Sequence, residues 1–176
     1  MTSTAELRSG LLAALEATLA EAGFRRTEQS FWKQWGQAKL CVHISFIKHS
    51  TDFDATIDVA VRHIQVEDRL NESRRNLSAR QKRQTATIGV ELGNWGEGRP
   101  HRWTVSGPAD VRATAASMLS EIRRIGYPFL ERFASLPELG RVLDADEKEA
   151  RLICPVPEKR SAVRALVRDL LSGRAA

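Results

Sequence analysis

The strongest pattern in the chain lies in residues 40–61, LCVHISFIKHSTDFDATIDVAV, where apolar and polar residues alternate on both sides of a polar centre. The apolar positions, two residues apart within each run, are Leu40, Val42, Ile44, Phe46, Phe53, Ala55, Ile57, Val59 and Val61. A period of two is typical of a strand that buries one face. The two runs therefore predict an antiparallel hairpin with one apolar and one polar face.

The polar centre of this hairpin allows a chemical and a structural interpretation. It contains Lys48, His49, Ser50, Asp52 and Asp54, residue types that occur in active sites and in ligand clamps. Ser and Asp are also common in turns, because their side chains hydrogen-bond to nearby backbone groups. A connection of about five residues between two strands favours the turn. We predict that this turn is exposed and not catalytic.

Other patterns extend from the hairpin toward both ends of the chain. Ser3 and Glu6 form a capping-box pattern ahead of leucines that recur every four residues, which predicts an N-terminal helix. Residues 24–35 predict one strand or two short ones, and two segments within residues 85–105 predict further strands. From Pro108 onward the pattern is helical. The predicted class is α+β, with an N-terminal helix, a four- to five-stranded antiparallel sheet and C-terminal helices that cover one face.

The chain of 176 residues fits one domain, which we place at residues 1–143. Residues 144–176 are interpreted as a connector and an amphipathic helix that packs on the body of the chain or on a partner. The apolar stripe of this helix, too large to leave in water, is Val163, Leu166, Val167, Leu170 and Leu171. A second copy of the chain is one such partner, so a homodimer is one interpretation of this helix.

Apolar positions in the predicted helices and strands also define a core. We assign to it side chains from the first helix, the sheet and the helix of residues 111–125: Leu15, Val42, Ile57, Val59, Ile88 and Leu119. Truncation of a buried aliphatic side chain to alanine costs about 2–5 kcal/mol, which makes the assignment testable by mutation.

Composition excludes several classes of protein. The net charge of +5 comes from 27 basic and 22 acidic residues, too small a surplus for a protein that coats DNA. No run approaches the roughly 20 apolar residues of a membrane span, and charged residues interrupt the N-terminal stretch, unlike the apolar centre of a signal peptide. Cys41 and Cys154 lie far apart and are interpreted as reduced thiols. We predict a cytoplasmic protein with no membrane partner.

Several short motifs occur in an order that is similar to a known bacterial family. They are AGFRR at the end of the first helix, FWKQW, FIKHS, FDATIDVAV, HRWTV and YPFLERFASLPEL. Over roughly residues 7–143, the chain resembles the family called domain of unknown function 4304. The resemblance implies an α+β fold. It implies no established activity and supplies no catalytic residues.

The polar face of the predicted sheet is the first candidate site, because alternate residues of neighbouring strands share a face. Its candidate pocket residues are His43, Asp58, Arg62, Glu91 and Arg102. Antiparallel sheets usually expose one face to water, so a solvated face, or a face covered by the C-terminal helix, is the simpler interpretation. The histidines lack the spacing of metal-binding motifs, and no nucleophile or nucleotide motif is present. We therefore predict no catalytic residue, no metal and no cofactor.

A cluster of basic residues is the second candidate site. Its members are Arg74, Arg75, Arg80, Lys82 and Arg83. Clustered Arg and Lys side chains are typical of surfaces that contact phosphates. The leading hypothesis for function is nevertheless a non-enzymatic binding or protein-interaction module, whose partner is an unknown protein or a second copy of the chain. A nucleic-acid-binding accessory protein that uses residues 62–83 is the alternative, and a hydrolase on the polar sheet face is a third hypothesis.

Overall fold

The computed structural model describes residues 2–96 and 101–173. Its α-helices are α1 (Thr4–Glu21), α2 (Ile64–Glu72), α3 (Ala79–Gln84), α4 (Leu92–Gly96), α5 (Pro108–Glu121), α6 (Tyr127–Phe133), α7 (Leu136–Ala145), α8 (Lys148–Ile153) and α9 (Pro157–Leu171). A π-helical stretch, Ile122–Gly126, joins α5 to α6. Its strands are β1 (Arg25–Thr27), β2 (Ser30–Trp35), β3 (Ala38–Lys48), β4 (Phe53–His63), β5 (Ile88–Glu91) and β6 (Trp103–Val105). The predicted α+β class is confirmed. Within the described ranges, no helix has both the length and the apolarity that crossing a bilayer requires.

The sheet is antiparallel and has six strands, in the order β1-β2-β3-β4-β5, with β6 also paired to β4. It exceeds the predicted four or five strands because residues 24–35 fold into two strands. Glu28, with φ 58°, turns the chain between β1 and β2, so that Thr27 pairs with Ser30. The hairpin predicted from residues 40–61 is present as β3 and β4. Across its turn, the His49 amide donates to the Asp52 carbonyl over 3.0 Å.

The chain divides into two compact units. The first comprises Met1–Lys33, Cys41–Val59 and Glu91–Phe129, and the second comprises Gln34–Leu40, Ala60–Val90 and Leu130–Ala176. The long strands β3 and β4 contribute residues to both units.

In the first unit, α1 begins with the predicted capping box. The Ser3 hydroxyl accepts a hydrogen bond from the Glu6 amide over 3.2 Å, and the Glu6 carboxylate accepts one from the Ser3 amide over 2.6 Å. The helix packs on α5 and β1. Its buried leucines are Leu7, Leu11, Leu12, Leu15 and Leu19. The cap thus sets the start of the helix, and the leucine stripe sets the face that it turns toward its neighbours.

Five of the six predicted core residues are buried, and Leu119 is not. Those with an exposure of 1% or less are Leu15, Val42, Ile57, Val59 and Ile88. Leu119 is half-buried, because the side chains buried along α5 and the π-helical stretch after it are Thr114, Ala115, Met118, Ile122 and Ile125. One residue of a helix corresponds to a rotation of about 100°. The assignment of Leu119 was therefore wrong by one position on the helix.

In the second unit, α9 packs on α2, α7 and α8. Val163 and Val167 are its fully buried side chains, whereas Leu171 is 48% exposed. Gly140 of α7 lies close to this helix: a Cβ atom there would be 3.0 Å from Leu171 Cδ1 and 3.2 Å from Val167 Cγ1. The missing side chain at Gly140 therefore permits the close approach of α7 and α9. The stretch interpreted as a connector contains α8.

Candidate functional site

The polar face of the sheet in the first unit carries paired side chains. Ser30 Oγ lies 2.8 Å from His43 Nδ1, and Ser45 Oγ donates to Asp58 Oδ2 over 2.9 Å. His43 and Asp58, two of the candidate pocket residues, are half-buried, so this face is neither fully open nor sealed. Because each bond joins neighbouring strands, it holds the histidine or the aspartate in place on the sheet.

The nucleophiles of this face are poorly suited to catalysis. Cys41 is buried, and burial raises the pKa of its thiol to about 12, so the thiol stays protonated at neutral pH. Ser30 contacts His43 as a nucleophile contacts a base. In a serine hydrolase, a carboxylate orients that base. Among the contacts within residues 2–96 and 101–173, no carboxylate bonds to His43.

The turn of the β3–β4 hairpin is tethered by Asp54. Thr104 Oγ1 donates to Asp54 Oδ1 over 2.7 Å, and His49 Nε2 lies 3.1 Å from Asp54 Oδ2. The hydrogen bonds from Thr104 and then from His49 hold the pKa of Asp54 below its usual range. The His49 side chain is 44% exposed, in agreement with the predicted exposed turn. Asp54 of β4 thus connects His49 of the turn to Thr104 of β6.

Glu91 and Arg102 are the other candidate pocket residues in the first unit. Glu91 is half-buried at the end of β5, and its Oε1 has no hydrogen-bond partner among the described residues. Arg102 is exposed next to β6, where its charge makes a small contribution to the lowered pKa of Asp54. In the described part of this unit, no hydrogen bond or ion pair joins Glu91 or Arg102 to His43 or Asp58.

Arg62, the fifth candidate pocket residue, belongs to the second unit and is only 4% exposed. Its Nη1 donates to the carbonyls of Lys82 and Thr85 and to Thr85 Oγ1, over 3.0, 3.1 and 2.7 Å. Its Nη2 donates to Asp68 Oδ1 over 2.7 Å. The guanidinium is therefore occupied by groups of its own unit and is not presented to solvent.

Two further buried polar residues surround Arg62. Glu67 is fully buried, and its carboxylate lies 3.7 Å from Arg62 Nη1. Asn71 Nδ2 donates to the Lys82 carbonyl and to Thr85 Oγ1, each over 3.1 Å. We call Arg62, Glu67 and Asn71 the clamp. Arg62 and Asn71 hold the C-terminal end of α3, and Glu67 balances the buried charge of Arg62.

The clamp, and not apolar packing, holds α3. None of the six residues of this helix is buried. Its first turn is closed by a capping box, in which the Ser78 hydroxyl accepts from the Gln81 amide and the Gln81 side chain accepts from the Ser78 amide. A helix this short is unstable in isolation. The hydrogen bonds of the clamp to Lys82 and Thr85 therefore fix its position.

The candidate basic residues divide into two groups by the exposure of their side chains, with Arg74 and Lys82 half-buried. Arg74 donates to Glu67 and Asn71. Lys82 Nζ donates to the Asn71 carbonyl over 2.7 Å. The remaining side chains, all exposed, are Arg75, Arg80 and Arg83. No acidic residue occurs from position 73 to position 90, so the exposed surface of residues 73–84, which we call the basic segment, is strongly positive.

Charges on neighbouring helices border the basic segment. Lys159 of α9 adds a positive charge, and its Nζ donates to the Ala86 carbonyl over 2.7 Å. On α2, the exposed acids are Asp68 and Glu72. Arg62 partly neutralises Asp68 through the contact described above. Lys159 thus extends the positive surface near Ala86, and the acidic residues of α2 limit it on the side of that helix.

Three residues of this region were not among the predicted site residues: Glu67, Asn71 and Thr85. The available signal was the spacing of Glu67 and Asn71, which lie four residues apart on α2 and so share one face of that helix. Thr85 carried no signal, because a threonine after a polar helix is ordinary at a surface. Its role depends on Arg62 and Asn71, both distant in sequence.

A groove of about 650 Å³ lies beside α7 and α9 in the second unit. Its lining residues are Asp144, Ala165, Arg168, Asp169, Leu171 and Ser172. Arg168 Nε donates to Asp144 Oδ1 over 2.7 Å, so one charge of each sign is paired within the groove. The exposed side chain of Leu171 supplies its apolar part.

Neither a metal site nor a related protein assigns a function to the described residues. Over the described ranges, no group of three or more His, Cys, Asp or Glu residues could hold a metal ion. Comparison of the chain with protein-family models, with curated proteins and with solved structures finds no match. The resemblance to domain of unknown function 4304 stays a prediction.

Proposed function

We propose that this protein is a non-catalytic binding module that presents the basic segment, as a surface of fixed position, to an acidic partner. The clamp carries the proposal, because buried polar groups hold a helix that buries no side chain of its own. A segment that packs only for stability buries apolar side chains, as α9 does with Val163 and Val167. α3 instead exposes Arg80 and Arg83.

The energetics of the clamp support a role beyond packing. Arg62 and Glu67 are withdrawn from water. Their desolvation is offset by their pairing and by the hydrogen bonds of Arg62 and of Glu67 Oε2, whereas Glu67 Oε1 has no hydrogen-bond partner among the described residues. Apolar residues of similar volume often give equal or greater stability. Directional hydrogen bonds do what apolar contacts cannot, since they set the orientation of the group that they hold. In this unit, that group is the backbone of α3.

Two features support a binding role over a catalytic one. Cys41 stays protonated, and the Ser30–His43 pair has no orienting carboxylate among the described contacts. Neither therefore supplies an activated nucleophile. Cys41 and Cys154 are both buried and unpaired, which suits a reducing compartment. We accordingly propose a cytoplasmic location.

Two variants of equal charge test the proposal. The segment variant combines Arg75→Gln, Arg80→Gln and Arg83→Gln. The control variant combines Arg112→Gln, Arg123→Gln and Arg151→Gln. All six arginines are exposed, so the variants remove the same charge from different surfaces.

Binding of labelled polyglutamate, polyphosphate and duplex DNA is measured at low salt by fluorescence anisotropy. We expect at least one of these polyanions to bind the wild-type protein and the control variant, and to lose its affinity for the segment variant. Equal losses in the two variants would mean that net charge alone attracts the polyanion, and the basic segment would not be the site. If none of the three polyanions bound the wild-type protein, the proposal would be refuted.

Self-association through α9 is a second candidate function, favoured by the groove beside the exposed Leu171. A two-fold contact would cover this apolar side chain in both copies. Sedimentation velocity over a wide concentration range tests it. The wild-type protein should dimerise, and Leu171→Glu should stay monomeric. A wild-type monomer at every concentration would remove this candidate.

A further inference from the structure

We infer that the partner of the basic segment is a nucleic acid, contacted through its phosphate backbone without base specificity. The inference rests on the proposed function, because it names the partner of the same surface. It follows from the kind of cation that the segment exposes, from the spacing of these cations, and from the lack of an apolar anchor among them.

The exposed cations of the basic segment are all arginines: Arg75, Arg80 and Arg83. A guanidinium is planar and always charged, and it can bond two oxygens of one phosphate at the same time. The exposed amides of Asn76 and Gln84 also donate hydrogen bonds to phosphate oxygens. With no acidic residue in the segment, its exposed side chains suit a dense row of anionic oxygens.

The spacing of the arginines suits neighbouring phosphates. Arg80 and Arg83 lie three residues apart on α3, which places their Cβ atoms about 5–6 Å apart on one face of the helix. A nucleic-acid strand offers a phosphate about every 3.4 Å along its axis, within reach of two long side chains so placed. The clamp holds the helix that carries both, so less conformational entropy is lost on binding.

An acidic protein fits the basic segment less well. Protein interfaces are centred on buried aromatic or aliphatic anchors, with charges at the rim. Leu77 is the one large apolar residue among residues 73–84, and it is half-buried. Anionic membranes are also bound best when apolar side chains insert beside the charges. A nucleic acid is charged along its whole length and needs no such anchor.

The number of contacts implies a weak and salt-sensitive complex. Each neutralised phosphate contributes about −0.9 to the slope of log K against log salt concentration on duplex DNA. Three arginines therefore give an expected slope of about −2.7, or a loss of roughly 500-fold in affinity from about 20 to about 200 mM KCl. The exposed acids Asp68 and Glu72 act against binding and keep the complex weak.

Anisotropy titrations of a short labelled duplex over this salt range test the inference. The segment variant should lose nearly the whole slope, because each arginine on a phosphate accounts for about one unit. The control variant should keep the wild-type slope. A second duplex of unrelated sequence should bind equally well, since phosphate contacts carry no sequence information. A strong preference for one duplex would overturn the claim of backbone recognition.

Two further variants separate geometry from charge. Replacing the three arginines by lysine keeps the charge but removes the bidentate geometry, so affinity should fall several-fold with little change in slope. Asn71→Ala keeps every arginine but removes two hydrogen bonds that hold α3, and it should also weaken binding several-fold. Wild-type affinity in both variants would overturn the inference, because a diffuse positive charge would then suffice.

Other polyanions distinguish the failure of this inference from the failure of the proposed function. If polyglutamate or phosphatidylserine vesicles bind as tightly as the duplex, with the same dependence on the three arginines, the nucleic-acid inference is wrong and the binding module stands. If no polyanion binds at about 20 mM KCl, both are wrong. Circular dichroism checks that each variant is folded. The lysine variant preserves the test if the glutamine variant unfolds.

Discussion

α3 and α9, two helices of the second unit, both carry exposed basic residues, but they are held in opposite ways. α9 buries Val163 and Val167, and its arginines pair with Asp144 and Asp146 of α7 and its C-terminal end. α3 buries no side chain and is held through backbone carbonyls at its C-terminal end, which the clamp binds. A basic helix can thus be a packing element or a presented surface. Burial distinguishes the two, and charge does not.

The largest effect on stability is expected at the clamp. Arg62→Ala leaves the fully buried Glu67 with one cationic neighbour fewer and removes the donor to the Lys82 and Thr85 carbonyls. Breaking a buried pair from one side costs about 3–5 kcal/mol, and urea unfolding should show a loss of that size. The exposed control Arg83→Ala should change the free energy of unfolding by no more than about 0.5 kcal/mol. Similar small changes in both would mean that the clamp does not hold α3.

The next largest effect is expected in the apolar contact of α9. Val167→Ala removes two methyl groups from a fully buried position, at a cost of about 2 kcal/mol in urea unfolding. Leu171→Ala is the control on the same helix and should cost clearly less, because Leu171 is 48% exposed. Equal losses of unfolding free energy in the two variants would mean that the buried valines do not anchor α9. α9 and α3 would then not differ in the way that they are held.

A smaller effect, dependent on pH, is expected next to the clamp. His63 precedes α2, is buried, and donates from Nε2–H to the Phe133 carbonyl over 2.9 Å. Burial lowers the pKa of this imidazole from its usual 6.5, so below that pH the unfolded chain binds a proton that the folded chain does not. The contribution of neutral His63 to the free energy of unfolding is therefore complete above pH 6.5. It is lost as the pH falls toward the lowered pKa of the folded chain.

Thermal unfolding of the wild-type protein and of His63→Gln at several pH values checks this expectation. Wild-type stability should decrease as the pH falls below about 6.5, and the variant should show a flatter profile over the same range. Parallel profiles would assign the pH dependence to other groups.

The smallest effect is expected for an ion pair on α9. Arg168 lies 2.7 Å from Asp144, the same distance as Arg62 from Asp68. The side chains of Arg168 and Asp144 are 60% and 44% exposed, so water screens their attraction. Arg168→Gln should cost no more than about 0.5 kcal/mol in urea unfolding. If Arg168→Gln lowered the free energy of unfolding as much as Arg62→Ala does, burial would not explain the difference expected between the two ion pairs.

Features set by near neighbours in the chain were predictable from sequence. The capping box of Ser3 and Glu6 and the β3–β4 hairpin are both present. Each depends on residues only a few positions apart, so a local pattern contains the necessary information. Leu119 was assigned incorrectly because its local pattern fits two helix faces one residue apart. Packing against neighbouring elements selects the face with Met118.

The candidate sites were predicted less completely, because they depend on contacts between distant residues. The period of two correctly placed His43 and Asp58 on the polar side of their strands. Their partners Ser30 and Ser45, each 13 residues away from the residue that it bonds, follow from strand pairing. A sequence pattern indicates which face a side chain occupies, but not which group it meets there.

The sequence by itself determined the α+β class, the long hairpin and the amphipathic pattern of α9, since each follows from regular spacing of apolar residues. Only the tertiary structure decided which charges are buried. Arg62 and Glu67 lie in polar surroundings in the sequence, yet both are inside the second unit. A charge can be buried only where folding supplies its partners, and Lys82, whose carbonyl Arg62 binds, is 20 residues away. A local sequence pattern does not indicate such a distant partner.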